Sequence, residues 1–144
     1  MEKISTAETN KKIVRHLYEE ILNSGHLNRL QEVIDSSYIG PQNILGPDGF
    51  ARSIAPVLKA FPKIHWTIEE MIADDDRVMV KWHWNGKNTS SFDGFPVSNA
   101  DVTHRAINIF TFQKNKIIGA SMLADRLGFY QQIGVISEDA IKPR

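Results

Sequence analysis

Between Thr6 and Asn23 the apolar residues Ile13, Val14, Leu17, Tyr18, Ile21 and Leu22 recur at three- and four-residue spacing. This stripe predicts an amphipathic helix, capped by Ser5 or Thr6 and ended by Ser24-Gly25. A second short helix is predicted from about Leu27 to Ile34, with Leu27, Leu30, Val33 and Ile34 buried, so that the two form a helical hairpin. The stretch SSYIGPQNILGPDGF has the Gly, Pro and Asn density of a loop, and Pro47 opens a third helix through Phe50, Ile54, Val57, Leu58 and Phe61. Pro56 lies inside that helix, removes a backbone donor, and is expected to kink or shorten it.

After Pro62 the period changes to two. Ile64, Trp66 and Ile68 alternate with His65, Thr67 and Glu69, which predicts a strand to about Ala73 and a tight turn at Asp74, Asp75 and Asp76. Val78, Val80, Trp82 and Trp84 then alternate with Met79, Lys81, His83 and Asn85 and complete a hairpin. The polar stretch GKNTSSFDGFPVSNAD reads as a long connection or a pair of short edge segments. It feeds the longest strand, Val102 to Gln113, which turns at Lys114-Asn115 into a strand from Lys116 to about Ala124. A last helix runs from Asp125 to about Ile133, and the chain beyond Gly134 is a polar tail. Helices first, then strands joined by hairpins, argue for an α+β fold with helices covering one face of a curved antiparallel sheet. No internal repeat or linker divides residues 1–144, which are expected to form one domain.

Composition narrows the partners. A chain of 144 residues buries about two-thirds of its unfolded surface, enough for a core with an internal cavity. Seventeen basic and seventeen acidic residues cancel without forming blocks, so neither nucleic acid nor a membrane surface is the expected partner. A small molecule or another protein fits better. The absence of cysteine rules out disulfides and thiolate chemistry. The N-terminal MEKISTAETNKK lacks the apolar core of a signal peptide, and no apolar run approaches the roughly 20 residues of a membrane span. A soluble cytoplasmic protein is expected.

The five histidines (His16, His26, His65, His83 and His104) are scattered, without HxH or HExxH spacing, so no metal site is expected. No glycine-rich phosphate loop and no GxSxG elbow appear. What remains is acid–base chemistry by isolated polar groups in an apolar cavity. One face of the long strand carries Val102, His104, Ala106, Asn108, Phe110 and Phe112. On the next strand Ile117, Gly119, Ser121, Leu123 and Asp125 share a parity. Pairing across Lys114-Asn115 brings Asp125 to the same end as His104. Two jobs stand open for Asp125: N-cap of the last helix, worth about 1 kcal/mol, or acid–base group. His104 is a structural or a catalytic histidine, and Asn108 bonds a neighbouring backbone group or a ligand. Trp66, Trp82 and Trp84 on adjacent strands suit an aromatic wall for a planar or hydrophobic ligand, with the Tyr18 hydroxyl at the cavity edge.

Four blocks carry a resemblance: NKKIVRHLYEEILNSGHLNRLQEVI; GPDGF leading to AFPKIHWTIEEMIADDDRVMVKW; SSFDGFPVSNADVTHRAINIFTFQKNKII; and DRLGFYQQIG. In this order, over roughly residues 8 to 134, they resemble the SnoaL-like polyketide cyclases of the nuclear-transport-factor-2-like superfamily. The resemblance implies a cone, or α+β barrel, in which a bent antiparallel sheet wraps N-terminal helices around a deep pocket, with Phe50 among its lining residues, and a homodimer packed through the sheet. It also implies cofactor-independent ring closure on a hydrophobic carbonyl compound, by proton abstraction at a buried carboxylate whose pKa an apolar pocket raises. Asp125 is the nearest match to that carboxylate, with His104 or Asn108 polarising the carbonyl.

Two departures stand out. Relatives usually read His-Trp-Asp before the D-R-L-G segment, where this chain has Ala120, Ser121 and Met122, so the pocket floor is smoother; if the family aspartate corresponds to Met122, the acid–base carboxylate is missing. Asn99 replaces a turn glycine and is expected to keep the left-handed turn. An enzyme of the cyclase type and a non-catalytic binder of a small hydrophobic ligand are the two functions to separate. An inward or an outward Asp125 side chain distinguishes them.

Overall fold

The structure, a computed structural model, describes residues 6–139, so the cap expected at Ser5 lies outside the described residues. Helix α1 (Thr6–Arg15) runs directly into a π-helical segment, His16–Leu22. Backbone bonds five residues apart, from Asn23 N to the Tyr18 carbonyl (3.0 Å) and from His26 N to the Ile21 carbonyl (3.1 Å), close this wider spiral. Such segments interrupt the 3.6-residue repeat, and here Leu17, Tyr18, Ile21 and Leu22 are all buried. Gly25, at φ 71, turns the chain as expected. His16 meets Glu32 at 3.0 Å and ties the helix to a 3-10 segment, Leu27–Glu32, within which Arg29 also meets Glu32 at 3.0 Å.

The second predicted helix is therefore shorter than its apolar spacing indicates, because Ile34 opens a strand. This strand, β1 (Ile34–Ile39), was expected to be loop, and it pairs in parallel with the last strand. The sheet is thus mixed rather than wholly antiparallel. Its strands are β1, β2 (His65–Asp74), β3 (Arg77–Lys87), β4 (Asp101–Gln113) and β5 (Lys116–Ala124), in the spatial order β1-β5-β4-β3-β2. It is curved and unclosed, with β1 and β2 at its edges. Lys114 and Asn115 both take positive φ, 50° and 65°, as a two-residue hairpin turn demands.

Helix α2 (Gly46–Ala60) has Pro47 in its first turn. Pro56 does not shorten it, so that part of the expected effect is unmet: its ring lies on the exposed side of the helix and displaces nothing in the core. The core forms where α1 and the π segment lie on the inner sheet face, bringing Val14, Leu17, Tyr18 and Ile21 together with Val78, Val80, Trp82 and Phe110. Among the described residues, the other sheet face has no helix on it and leaves Ile107, Ile109 and Leu123 exposed. Helix α3 (Arg126–Gln132) follows β5 immediately and packs against the start of β4.

The connection between β3 and β4 is organised by one buried residue, Asn88. Its amide donates to the carbonyls of Ser90 (2.8 Å) and Ala60 (3.4 Å), and its oxygen accepts from the Ser98 backbone (2.7 Å) and hydroxyl (2.8 Å). Beyond it Phe92 and Phe95 pair across a turn in which Asp93 and Gly94 have φ of 52° and 80°. The Asp-Gly pair is a hairpin signal that the polar composition of this stretch conceals. Asn99 has φ 58, the left-handed conformation expected for it. Asn88→Ala is expected to remove four hydrogen bonds, two of them the partners of the Ser98 N–H and the Ser90 carbonyl, and to lower stability by about 2 kcal/mol or more. Urea denaturation checks this, with faster amide exchange at Ser98 and Phe95 than at Phe110.

Candidate active site

The inner face of β4 presents Val102, His104, Ala106, Asn108, Phe110 and Phe112, as the alternation predicts. Directly paired residues share a face, so Trp84 stands beside His104, Trp82 beside Ala106 and Val80 beside Asn108. All three tryptophans are buried, with Trp66 opposite Trp84 on β2. They stand side by side on adjacent strands, packed into the core. Asn23, at the end of the π segment, holds that row from the edge: its oxygen accepts from Trp66 N at 2.6 Å and its amide donates to Trp66 O at 3.0 Å.

His104 lies inside a cage of rings. Its centroid is 5.1 Å from Phe129, 5.5 Å from Trp84 and 6.1 Å from Trp82. Nδ1 of His104 is sealed from solvent and has no hydrogen-bond partner. Burial pushes the imidazole below its ordinary value, partly offset by the negative charge of Asp125. Burial thus disfavours the imidazolium, and the neutral form it favours is the one a general base requires.

Asn108 is 8 % exposed and its oxygen accepts from the Trp82 indole N–H at 2.9 Å. Its partner is a side chain, where the sequence offered a backbone group or a ligand. His104 and Asn108 share a face but stand two inward positions apart, about 13 Å along the strand. They do not meet on one carbonyl. Trp82 links them, with its ring against His104 and its N–H on Asn108.

Asp125 ends up where the hairpin arithmetic puts it, its backbone N–H on the Arg105 carbonyl at 2.9 Å. The side chain is exposed and accepts from Gly128 N at 2.9 Å as the N-cap of α3. Gly128 is required there, because a Cβ would collide with the capping carboxylate. Asp125 therefore acts on His104 through its charge rather than by contact.

The pairing of strand β5 fixes which face Met122 is on. Met122 pairs with Asn108 and so belongs to the inner face, while Ser121 pairs with Ile109 on the outer face. Ser121 accordingly lines no interior, a correction that follows from β alternation. The inner positions of β5 paired to Phe110, Asn108 and Ala106 are Ala120, Met122 and Ala124, none of them ionisable. Met122 is 49 % exposed, so this part of the inner face is open.

Tyr18 packs against Trp82 and Phe110, at 6.0 and 6.3 Å. Burial, with a further contribution from Tyr38, raises its hydroxyl well above the ordinary phenol range. Tyr38 on β1 is likewise pushed up to about 12 by burial. Phe50 packs on Tyr38 at 6.0 Å, in the other half of the interior from His104.

Sequence reasoning missed Phe129 and Gln132. Phe129 covers His104 and belongs to an apolar helix stripe that reads as ordinary core. Gln132 accepts from Thr103 N and donates to Thr103 O, both at 2.8 Å. It thus takes the place of a strand partner beyond the end of β5 and fixes α3 over His104. Two surface concavities flank α2, one lined by Arg52, Ala55, Pro56, Lys59, Ser91, Phe92 and Asp93, the other by residues 42–53. Neither is lined by His104, Asn108 or Asp125.

Comparison with solved structures gives the same fold. TsrD from Streptomyces laurentii superposes with a TM-score of 0.83 at 18 % identity, covering 93 % of this chain and 100 % of that one. A SnoaL-like protein from Jannaschia sp. CCS1 gives 0.82 at 20 %, covering 94 % and 99 %. A SnoaL-like polyketide cyclase from Agrobacterium tumefaciens gives 0.75 at 18 %, covering 87 % and 98 %. No curated protein matches the sequence. The family model for SnoaL-like polyketide cyclases matches residues 12–133. With that match across most of its length, the chain belongs to the SnoaL-like polyketide cyclase family.

Proposed function

We propose that this protein is a cofactor-independent acid–base enzyme acting on a small hydrophobic carbonyl compound, and that His104 is its proton-transfer group. The observation that carries this is the sealed, unpartnered Nδ1 of His104 within a cage of Trp82, Trp84 and Phe129. A neutral imidazole takes a proton from the carbon beside a carbonyl; the C–H electron pair moves into the enolate, and the imidazolium returns the proton to complete an aldol closure or an isomerisation. Asp125 stabilises the imidazolium through space, and Asn108 positions Trp82. Relative to the sequence expectation, the proton-transfer role moves from carboxylate to imidazole. The second reading, a non-catalytic binder in the same cone, is favoured by the outward cap of Asp125 and by Met122 on the inner face.

Exchange of α-hydrogens in D2O, followed by NMR on a panel of hydrophobic ketones and esters, separates the two. Catalysis predicts exchange that His104→Gln slows by about 10²-fold or more. Binding without exchange in the wild-type protein establishes the second reading.

Asp125→Asn keeps a good N-cap and removes the charge. It is therefore expected to leave the melting temperature nearly unchanged while lowering the His104 midpoint, because the Asp125 charge raises it. The acid limb of the pH–rate profile then moves to lower pH. The sign for stability follows from the same shift. With a folded-state value below 6.5, His104 binds its proton more weakly folded than unfolded. Its contribution is complete above about pH 6.5 and is lost as pH falls through the lowered midpoint; His104→Gln flattens this dependence.

The expected partner is a second copy of the chain, and the cytoplasm the expected compartment. The helix-free sheet face exposes Ile72, Ile107, Ile109 and Leu123, the last at 79 %. Ile107 pairs with Leu123, and Ile72 and Ile109 both pair with Met79, so these residues lie side by side. This is the surface that a dimer would cover. Ile109→Lys with Leu123→Lys is expected to convert a dimer to a folded monomer in size exclusion with light scattering.

A further inference from the structure

The groove between α2 and the tip of the β3–β4 connection has features that the His104 reading does not use. It encloses about 470 Å³, within the range of small-molecule sites. Arg52 and Lys59 stand seven residues apart, two turns of α2, on the same side of the groove. Neither makes an ion pair among the described residues. The one carboxylate in the lining, Asp93, accepts from the Tyr130 hydroxyl at 3.4 Å. The groove therefore carries a net positive charge.

Its inner wall is Phe92, which stands immediately before the Asp93-Gly94 turn. Behind Phe92 the rings are continuous: Phe92 to Phe129 is 5.5 Å and Phe129 to His104 is 5.1 Å. The base of the loop is fixed to α2 by Thr89 N on Ala60 O (2.9 Å) and the Ser90 hydroxyl on Lys59 O (3.0 Å). The tip beyond them is held by the ring contacts of Phe92 and Phe95 and by the long Tyr130–Asp93 bond. Displacing Phe92 uncovers Phe129, the ring that stands between this groove and His104.

We propose that this groove is the entry and specificity subsite: Arg52 and Lys59 bind an anionic group on the ligand, while its hydrophobic body displaces Phe92 and packs on Phe129, the outer ring of the His104 cage. The ligand class is thereby a hydrophobic carbonyl compound that also carries a carboxylate or other oxyanion. The inference rests on the proposed role of His104 for its destination, but its test reads binding and not turnover.

The probes are 1-anilinonaphthalene-8-sulfonate, a flat aromatic anion, and N-phenyl-1-naphthylamine, its neutral counterpart. Both are titrated by fluorescence against the wild-type protein and the Arg52→Ala/Lys59→Ala variant, whose substitutions are on the surface and should leave the melting temperature unchanged. The anionic probe should bind the double variant about 5- to 10-fold more weakly, with the neutral probe unaffected. The saturating anionic probe should also shift the His104 imidazole proton signals in the wild-type protein. Equal affinity of the anionic probe for both proteins, or a His104 signal that does not move, overturns the proposal. An inactive His104 in the exchange assay, with the probe results as expected, removes the catalytic reading and leaves the entry subsite standing.

Discussion

A polar nitrogen closed among aromatic rings is the constraint around which this molecule is arranged. Leaving a buried polar atom without a partner costs on the order of 1–3 kcal/mol, and His104 Nδ1 is in that position. The elements around it hold the ring there. Trp84 faces it from β3, and Phe129 closes it from α3. Helix α3 is fixed in turn by the Asp125 cap, by Asp125 N on Arg105 O, and by Gln132 spanning both backbone groups of Thr103. Asn23 does the same for Trp66 on the opposite edge. In both places a side-chain amide supplies the two hydrogen bonds a neighbouring strand would have given, so short elements hold the aromatic wall in register.

Much of this was legible in the chain. The period-two runs fix which residues of β3 and β4 face inward, and the Lys114-Asn115 turn places Asp125 at the His104 end without further information. The left-handed Asn99 follows from side-chain chemistry alone, whereas the cap at Asp125 was one of two roles that its position in the sequence left open. What was not legible depends on tertiary partners. Strand β1 is short and rich in polar residues, Ile34–Ile39, and becomes a strand only because β5 offers it an edge. The π segment shares the apolar spacing of an ordinary helix until its hydrogen bonds are seen. The bond from Trp82 to Asn108 joins residues 26 apart in sequence, and no local pattern records it.

The departure at Met122 takes on a definite meaning once the register is known. Its pairing with Asn108 puts it on the inner face, so the inner positions of β5 opposite Ala106, Asn108 and Phe110 carry no carboxylate, and the nearest one, Asp125, is committed to a helix end. The ionisable group that Trp82, Trp84 and Phe129 enclose is an imidazole. Burial disfavours its charged form and the Asp125 carboxylate partly restores it. The balance of these two effects sets the pH range over which the imidazole is uncharged.

That balance is directly measurable. A pH titration of the His104 imidazole by NMR in the wild-type protein should give a midpoint below 6.5, falling further in Asp125→Asn. A midpoint at or above 6.5, unchanged by removing the Asp125 charge, would mean that His104 is solvated and uncoupled from Asp125, and would contradict the account.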